Sequence, residues 1–361
     1  MPNRRRKIQD HSDATIMPAM TAPAAQYVTT PDGYDLAYAA SGSGLPLILA
    51  PPALNHIQLV WDWPSQKAWL EGLAQRFRLV QFDPRGQGMS GRGLAADFSI
   101  LDYETDLETL IEHLGFERVV LAASCLFGHA AVRYAGKHPD RVHALILLST
   151  AVSNRAWPIE QFTGLGRENW ELLLWSRLPP GLSAIETQTR LEQTRQMITQ
   201  EDAVTRWNGC VDSDISDILP QICVPTLVLH PRRFIHLSSE EAINLAARLP
   251  NARLALVESD DPGDLHGLPQ EALAAIDQFF AEFFHGEDAS SFNAAGPLQP
   301  RLSRRQAEVL AFLVQGKTNR EIAAELVISL RTVERHVEEL YAKLDVRNRA
   351  EAIAVALGRL G

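Results

Sequence analysis

The residues after position 300 carry the clearest arrangement of side chains with potential chemistry. Apolar spacing predicts a helix over 330–344 with a buried stripe formed by Val333, Val337, Leu340 and Leu344. Outside that stripe lie Arg331, Thr332, Arg335, His336 and Lys343. The run Thr318-Asn319-Arg320-Glu321 matches a capping box that opens a shorter helix before it. A short helix, a tight turn and a second helix with a basic face can present side chains to the DNA major groove.

This region closely resembles the LuxR-type helix-turn-helix DNA-binding domain, most clearly in GKTNREIA and ISLRTVERHV. The resemblance implies that the helix from Leu330 reads base edges. It also implies phosphate contacts from Thr318, Asn319, Arg320 and Lys343. Double-stranded DNA is the expected partner, RNA polymerase is a further candidate, and a homodimer is expected because one such reader contacts little DNA. The alternative is a helical bundle used only for protein contacts, with its Arg and Lys residues in water.

Cys125 is the second residue with potential chemistry, because a thiolate is a nucleophile. Residues 119–142, VVLAASCLFGHAAVRYAGKHPDRV, resemble the strand, nucleophile elbow and following helix of the α/β-hydrolases. The resemblance places Cys125 at the nucleophile position and puts Ala123 and Phe127 where the family has glycines. Those glycines let the strand and the helix pack tightly around the turn, so their replacement argues against the usual elbow geometry.

The other two triad positions lack residues that could serve catalysis. The resemblance places Phe234 at the position of the catalytic acid and Pro262 at that of the histidine. A cysteine needs a base or a lowered pKa to be mostly thiolate at neutral pH. We therefore expect a degenerate hydrolase domain that is not an enzyme. The alternative is a Cys125-dependent hydrolase whose base is His266, four residues beyond the expected place.

A hydrolase fold without its triad still has a concave apolar pocket that can bind a ligand. Phenylalanine at position 234 favours a small apolar or aromatic effector over a charged one. The candidate pocket residues are Ala53, Leu54, His56, Cys125, Leu126, Trp157, Trp175 and Phe234. A protein-interaction scaffold without a ligand is the competing interpretation. No cofactor is expected, and no metal site either, because His230 and His236 have poor spacing for a shared metal ion.

The elements that must position these residues follow a βαβ rhythm over 26–285, which predicts a mostly parallel sheet covered by helices. An antiparallel edge hairpin is expected over 26–41, with Asp32-Gly33 at its turn. The rhythm is lost over about 150–220, where helical patterns predict an inserted cap. The buried strands are predicted at 45–50, 78–82, 119–122, 144–148, 226–229 and 254–257.

Length and composition indicate two folded domains, since 361 residues exceed one typical domain and 46% of them are hydrophobic. We expect a disordered basic tail over 1–25, an α/β-hydrolase-like sensory domain over 26–285, a linker over 286–300 and a small all-α DNA-binding domain over 301–361. The net charge is -10, yet residues 301–361 carry 11 Lys and Arg against 8 Asp and Glu, so this end would approach a polyanion. Three cysteines without CxxC spacing and no long apolar run favour a cytoplasmic protein that does not enter a membrane.

Overall fold

The computed structural model describes residues 21–51, 54–179, 181–258, 270–284, 304–344, 348–349 and 352–353. The predicted linker over 286–300 and most of the predicted basic tail lie outside these ranges. Among the described residues, no helix is both long and apolar enough to cross a bilayer.

An eight-stranded sheet forms the centre of the N-terminal domain, in the order β1-β2-β4-β3-β5-β6-β7-β8. The hairpin of β1 and β2 lies at one edge and is antiparallel to its neighbours, whereas all pairings from β4 to β8 are parallel. Every predicted strand is confirmed within two residues at each end. The strands are β1 Gln26–Thr29, β2 Asp35–Ser41, β3 Pro46–Ala50, β4 Arg78–Phe82, β5 Val119–Ser124, β6 Val142–Leu148, β7 Thr226–Pro231 and β8 Ala252–Val257.

Helices cover the sheet, and a cap of four helices is inserted between β6 and β7 as predicted. The sheet-covering helices are α1 Pro64–Ala74, α2 Ile100–His113, α3 Phe127–Lys137, α8 Ser239–Arg248 and α9 Gln270–Phe283. The cap comprises α4 Ile159–Glu168, α5 Trp170–Ser176, α6 Ala184–Met197 and α7 Gln200–Cys210. This is the mostly parallel α/β architecture with a helical cap that the sequence predicts.

The C-terminal domain is helical over its described residues and has its own small core. Its helices are α10 Arg304–Val314, α11 Asn319–Glu325 and α12 Leu330–Leu344. The core contains the predicted stripe residues Val333, Val337 and Leu340 together with Val309, Leu310, Leu313, Ile322 and Ala323. The periodicity of α12 therefore identified its buried face correctly.

Helix α8 lies between the two domains and is buried on two opposite faces. One face packs Ala242 and Leu245 into the core of the sheet. The other face carries Ile243 and Ala247, which are each only 1% exposed although they lie outside that core. Helix α10 packs against α8, and the buried Ala311 lies on α10 outside the small C-terminal core. The two domains are therefore in contact through α8 and α10.

Candidate functional site

The nucleophile elbow keeps its sharp turn despite the loss of both flanking glycines. Cys125 lies between β5 and α3 with a φ of 55°, the left-handed region that non-glycine residues rarely adopt. Its backbone N–H donates to the carbonyl of Leu148 at 2.9 Å. A glycine that lets α3 pack closely is still present, one residue after position 127, where the family has it. A Cβ on Gly128 would lie 2.1 Å from Oγ1 of Thr150, so only glycine fits there. The expectation of an altered elbow, drawn from Ala123 and Phe127, is therefore wrong.

Cys125 has the backbone conformation of an elbow nucleophile, but its thiol is not ionised at neutral pH. The residue is 5% exposed, and burial raises the pKa of the thiol to about 12. The guanidinium groups of Arg177 and Arg206 lower this pKa, but burial outweighs them. At neutral pH the thiol therefore carries its proton, and a base would have to remove it before any attack.

The buried histidines of the described body are engaged with other groups. His129 contacts Oγ of Ser213 at 2.8 Å through Nδ1, and its Nε2 lies 3.1 Å from the carbonyl of Ala151. Nε2 of His230 lies 3.1 Å from the carbonyl of Leu237. Burial lowers the pKa of each imidazole to about 4, so both are neutral at pH 7. Pro262 and His266 lie outside the described residues.

An aromatic cluster surrounds Phe234, the residue that the sequence resemblance assigns to the position of the catalytic acid. Phe234 is buried, and its ring meets those of Trp157, His230 and His236 edge to face at 5.8, 5.9 and 5.4 Å. Nη1 of Arg177 donates to Nε2 of His236 at 2.6 Å. Burial, and then the charge of Arg177, lower the pKa of His236 to about 4, which suits an imidazole that accepts this bond. These contacts provide apolar surface and no carboxylate that could orient a base.

A groove of about 440 Å³ opens beside the aromatic cluster and shares Trp157 and His236 with it. Its walls are otherwise mostly polar or small, and they come from the start of the cap and the loop after β7. The lining residues are Arg155, Ala156, Trp157, Pro158, Glu160, Gln161, Val211, Ile235 and His236. The groove gives a ligand access to the edge of the cluster.

The remaining predicted pocket residues are only partly brought together. Leu54 and Leu126 are buried in the same hydrophobic core as Cys125, and their place in a pocket stays a prediction. Trp175 is 59% exposed on α5, so its assignment to the pocket is wrong, because the face of α5 that packs inward carries Leu173 and Leu174 instead. Ala53 lies outside the described residues.

His56 is a turn residue in this structure. Its Nδ1 lies 3.3 Å from the backbone nitrogens of Gln58 and Leu59. Burial lowers its pKa, and the nearby Asp83 carboxylate raises it. Its recorded partners therefore belong to the loop after β3 and to Asp83, and no contact with the elbow supports a pocket role.

Arg206 is a candidate functional residue that the sequence analysis missed. It lies on α7 among the inward-facing residues Ala203, Trp207 and Cys210, and its side chain is 1% exposed. A signal was present in the sequence, since an arginine interrupts an apolar stripe with helical spacing. Its electrostatic effect reaches Cys125, so it lies between the cap and the elbow.

Capping hydrogen bonds and one residue of positive φ define the turn between α11 and α12. Thr318 caps α11 in the predicted capping box, with the N–H of Glu321 donating to its Oγ1 at 3.3 Å. Val327 makes the turn at a φ of 52°. The N–H of Thr332 donates to Oγ of Ser329 at 3.1 Å, so this threonine also helps to start its helix.

The predicted DNA contacts differ in their accessibility. Arg320, Arg331 and Arg335 are exposed, whereas the His336 side chain is 14% exposed and lies 3.6 Å from Glu339. Glu339 also lies 3.7 Å from Nε of Arg335. Asn319 is half-buried at the start of α11. Lys343 lies in α12, and its side chain is outside the described part of the chain.

Comparisons with known proteins agree with this division into two domains. A family described as "alpha/beta hydrolase fold" matches residues 46–229, and one described as "Bacterial regulatory proteins, luxR family" matches residues 300–356. The spore germination protein GerE of Bacillus subtilis is 46% identical over 63 residues, which are 18% of this chain and 84% of that protein.

Solved hydrolase structures resemble the N-terminal domain. A thermophilic esterase from Thermogutta terrifontis is 25% identical, with a TM-score of 0.58. The match covers 73% of this chain and 100% of the esterase. A hydrolase from Pseudomonas aeruginosa PA01 is 20% identical with a TM-score of 0.60, covering 72% of this chain and 99% of that one, and supports the fold alone.

Proposed function

Because the chain belongs to the alpha/beta hydrolase fold family and carries a DNA-binding domain of the luxR family, we propose that it is a transcriptional regulator with a ligand-binding hydrolase-fold domain. In this proposal the N-terminal domain binds a small effector without hydrolysing it. The C-terminal domain reads double-stranded DNA, and the effector changes how that domain is held.

The state of Cys125 is the observation that carries the proposal for the N-terminal domain. The Cys125 thiol is buried with a pKa of about 12, and the sequence resemblance assigns the buried Phe234 to the position where a hydrolase has the carboxylate that orients its base. Acyl transfer needs an activated nucleophile and a group that takes its proton. A domain that keeps the fold and the elbow, and whose described residues provide neither group, is suited to binding.

The contact between α8 and α10 provides a route from the effector to the DNA-binding domain. The loop 232–238, which carries Phe234 and His236, leads directly into α8. Helix α10 packs on the outer face of α8, so a ligand that moves this loop would also move the support of the C-terminal domain. Such a ligand changes the DNA-binding state only if it binds one arrangement better than the other.

The aromatic cluster favours an effector with an apolar or aromatic body, because Trp157 and Phe234 offer ring edges and faces rather than charge. We also propose a homodimer, since such readers usually bind two half-sites about one helical turn apart. RNA polymerase is a candidate partner of the DNA-bound protein.

A Cys125-dependent hydrolase with His266 as its base is the competing function. The retained elbow, with a φ of 55° at Cys125, is the feature in its favour. Replacement of Cys125 by alanine separates the two, because it would abolish turnover in a hydrolase and leave DNA binding intact in either case.

Selection of bound sequences from a randomised duplex library tests the regulatory function. We expect the full-length protein to enrich a site with two related half-sites, and Arg335→Ala to weaken that selection. Arg195→Ala is the matched control, because Arg195 is paired with Glu171 on the surface of the cap. Failure to enrich any sequence, or equal enrichment by Arg335→Ala, would contradict the placement of the reading surface.

A further inference from the structure

Arg206 is a buried cation at the boundary between the cap and the elbow. It projects from the inward face of α7 and is 1% exposed, which makes it one of the largest fully buried side chains in the protein. Its guanidinium carbon lies 5.7 Å from the centroid of the Trp207 ring. Its charge acts on the thiols of Cys125 and Cys210, so it lies close to both.

The guanidinium lacks a hydrogen-bonding partner. In the part of the chain that the structure describes, none of its three nitrogens completes a hydrogen bond. The hydroxyl of Tyr103, which is also fully buried, lies within hydrogen-bonding reach of Arg206 and is a neutral group, so it leaves the charge of the guanidinium uncompensated. A buried charge without a partner is strongly unfavourable, so proteins seldom keep one that has no use.

Other buried arginines of this chain are paired, which makes Arg206 an exception. Arg85 is as deeply buried, and it is surrounded by the carboxylates of Asp32, Asp102 and Asp106. Arg253 is paired with Glu282. The described acids therefore neutralise buried guanidinium groups at two places and do not do so at Arg206.

We propose that Arg206, with the Tyr103 hydroxyl, anchors an anionic group of the effector beneath the cap, and that this group is a carboxylate on an apolar body. The proposal rests on the function proposed above and names the class of its effector. The planar guanidinium can donate two parallel hydrogen bonds to a carboxylate, and the phenol can donate a third. The ring of Trp207 provides apolar surface beside this anchor.

The charge balance favours a carboxylate over a phosphate. Arg177 donates to His236 at 2.6 Å, whereas Arg206 has no ionic partner among the residues that the structure describes. One carboxylate neutralises one guanidinium, whereas a phosphate dianion would leave a negative charge buried. A neutral ligand would leave the guanidinium as it stands.

Thermal unfolding of Arg206→Met in the ligand-free, full-length protein is the first test. Methionine fills a similar volume without the charge, so we expect its melting temperature to exceed that of the wild type. Arg195→Met, on the cap surface, should leave the melting temperature unchanged. A melting temperature of Arg206→Met equal to or below that of the wild type would show that the chain itself neutralises Arg206, and would overturn the proposal.

The second test is the binding of aromatic acids, which is measured by the change in fluorescence of Trp207 and neighbouring tryptophans. Benzoate, phenylacetate and 2-naphthoate are compared with their amides. We expect at least one acid to bind the wild type and Arg195→Met at least tenfold more tightly than its amide, and Arg206→Met to lose that preference. Equal affinity of acid and amide, or no binding of any acid, would overturn the anion site. Selective DNA binding is measured separately, so a failed anion site and a failed regulatory function are distinguishable.

Discussion

The ionisation of Cys125 predicts a large difference in reactivity between the three cysteines. Cys125 and Cys210 are buried with pKa values raised to about 12, whereas Cys223 is exposed. At pH 8 a thiol with a pKa of about 12 is ionised to about one part in 10,000, against about one part in ten at the ordinary value of 9.0. The thiolate is the reactive form, so the pKa alone slows alkylation of Cys125 about 1,000-fold, and burial slows it further.

Alkylation of the native protein with iodoacetamide at pH 8, read by peptide mass spectrometry, measures this difference. We expect rapid modification at Cys223 alone, and none in the Cys223→Ser variant on the same timescale. Denatured protein should react at all three cysteines, which controls for the detection of each peptide. Modification of Cys125 at a rate within tenfold of Cys223 would refute the reasoning, because it would require a group that stabilises the thiolate.

Three further predictions concern DNA contacts, the domain interface and acid stability. In gel shifts, Arg335→Ala should weaken binding to the selected site by about 1–3 kcal/mol. Lys343→Ala should weaken binding to all sequences equally and reduce by about one the slope of log affinity against log salt concentration. Identical profiles for both variants would contradict this. Ala247→Lys should separate α10 from α8 and speed proteolysis within 286–300, and unchanged cleavage would contradict the interface. Burial lowers the pKa of His129 from 6.5 to about 4. The unfolded chain therefore takes up a proton at this residue before the folded protein does. The free energy of unfolding falls by about 3 kcal/mol as the pH drops from above 6.5 towards 4. His129→Gln should therefore lose less stability than the wild type between pH 7 and 4.5 in urea denaturation, and equal losses would contradict the assignment.

The sequence predicts the elements well because their patterns are local. Strands buried on both faces appear as short apolar runs, which is why β4 is predicted to the residue and the other strands within two. The stripe of α12 follows from helical periodicity, and the capping box at Thr318 from the four residues that form it. Phe234 and Cys125 could be placed because the motifs around them resemble those of a family.

The packing between distant segments could not be predicted. The elbow survives because Gly128 lies against Thr150, which is 22 positions further along the sequence. Trp175 was assigned to the pocket by residue type alone, but the short α5 turns it outward. Arg206 looks like an ordinary helix residue in the sequence, and only the structure shows that it is buried without an ionic partner among the described residues.

The central claim is that the hydrolase fold of this regulator binds without turnover, and hydrolysis of short and long aryl esters by the purified protein tests it most directly. We expect the wild type and Cys125→Ala to hydrolyse these esters at the same rate, which is that of the uncatalysed reaction. Turnover that depends on Cys125 would contradict it, because a base would then have to reach the elbow and ionise a thiol that the surrounding protein keeps protonated.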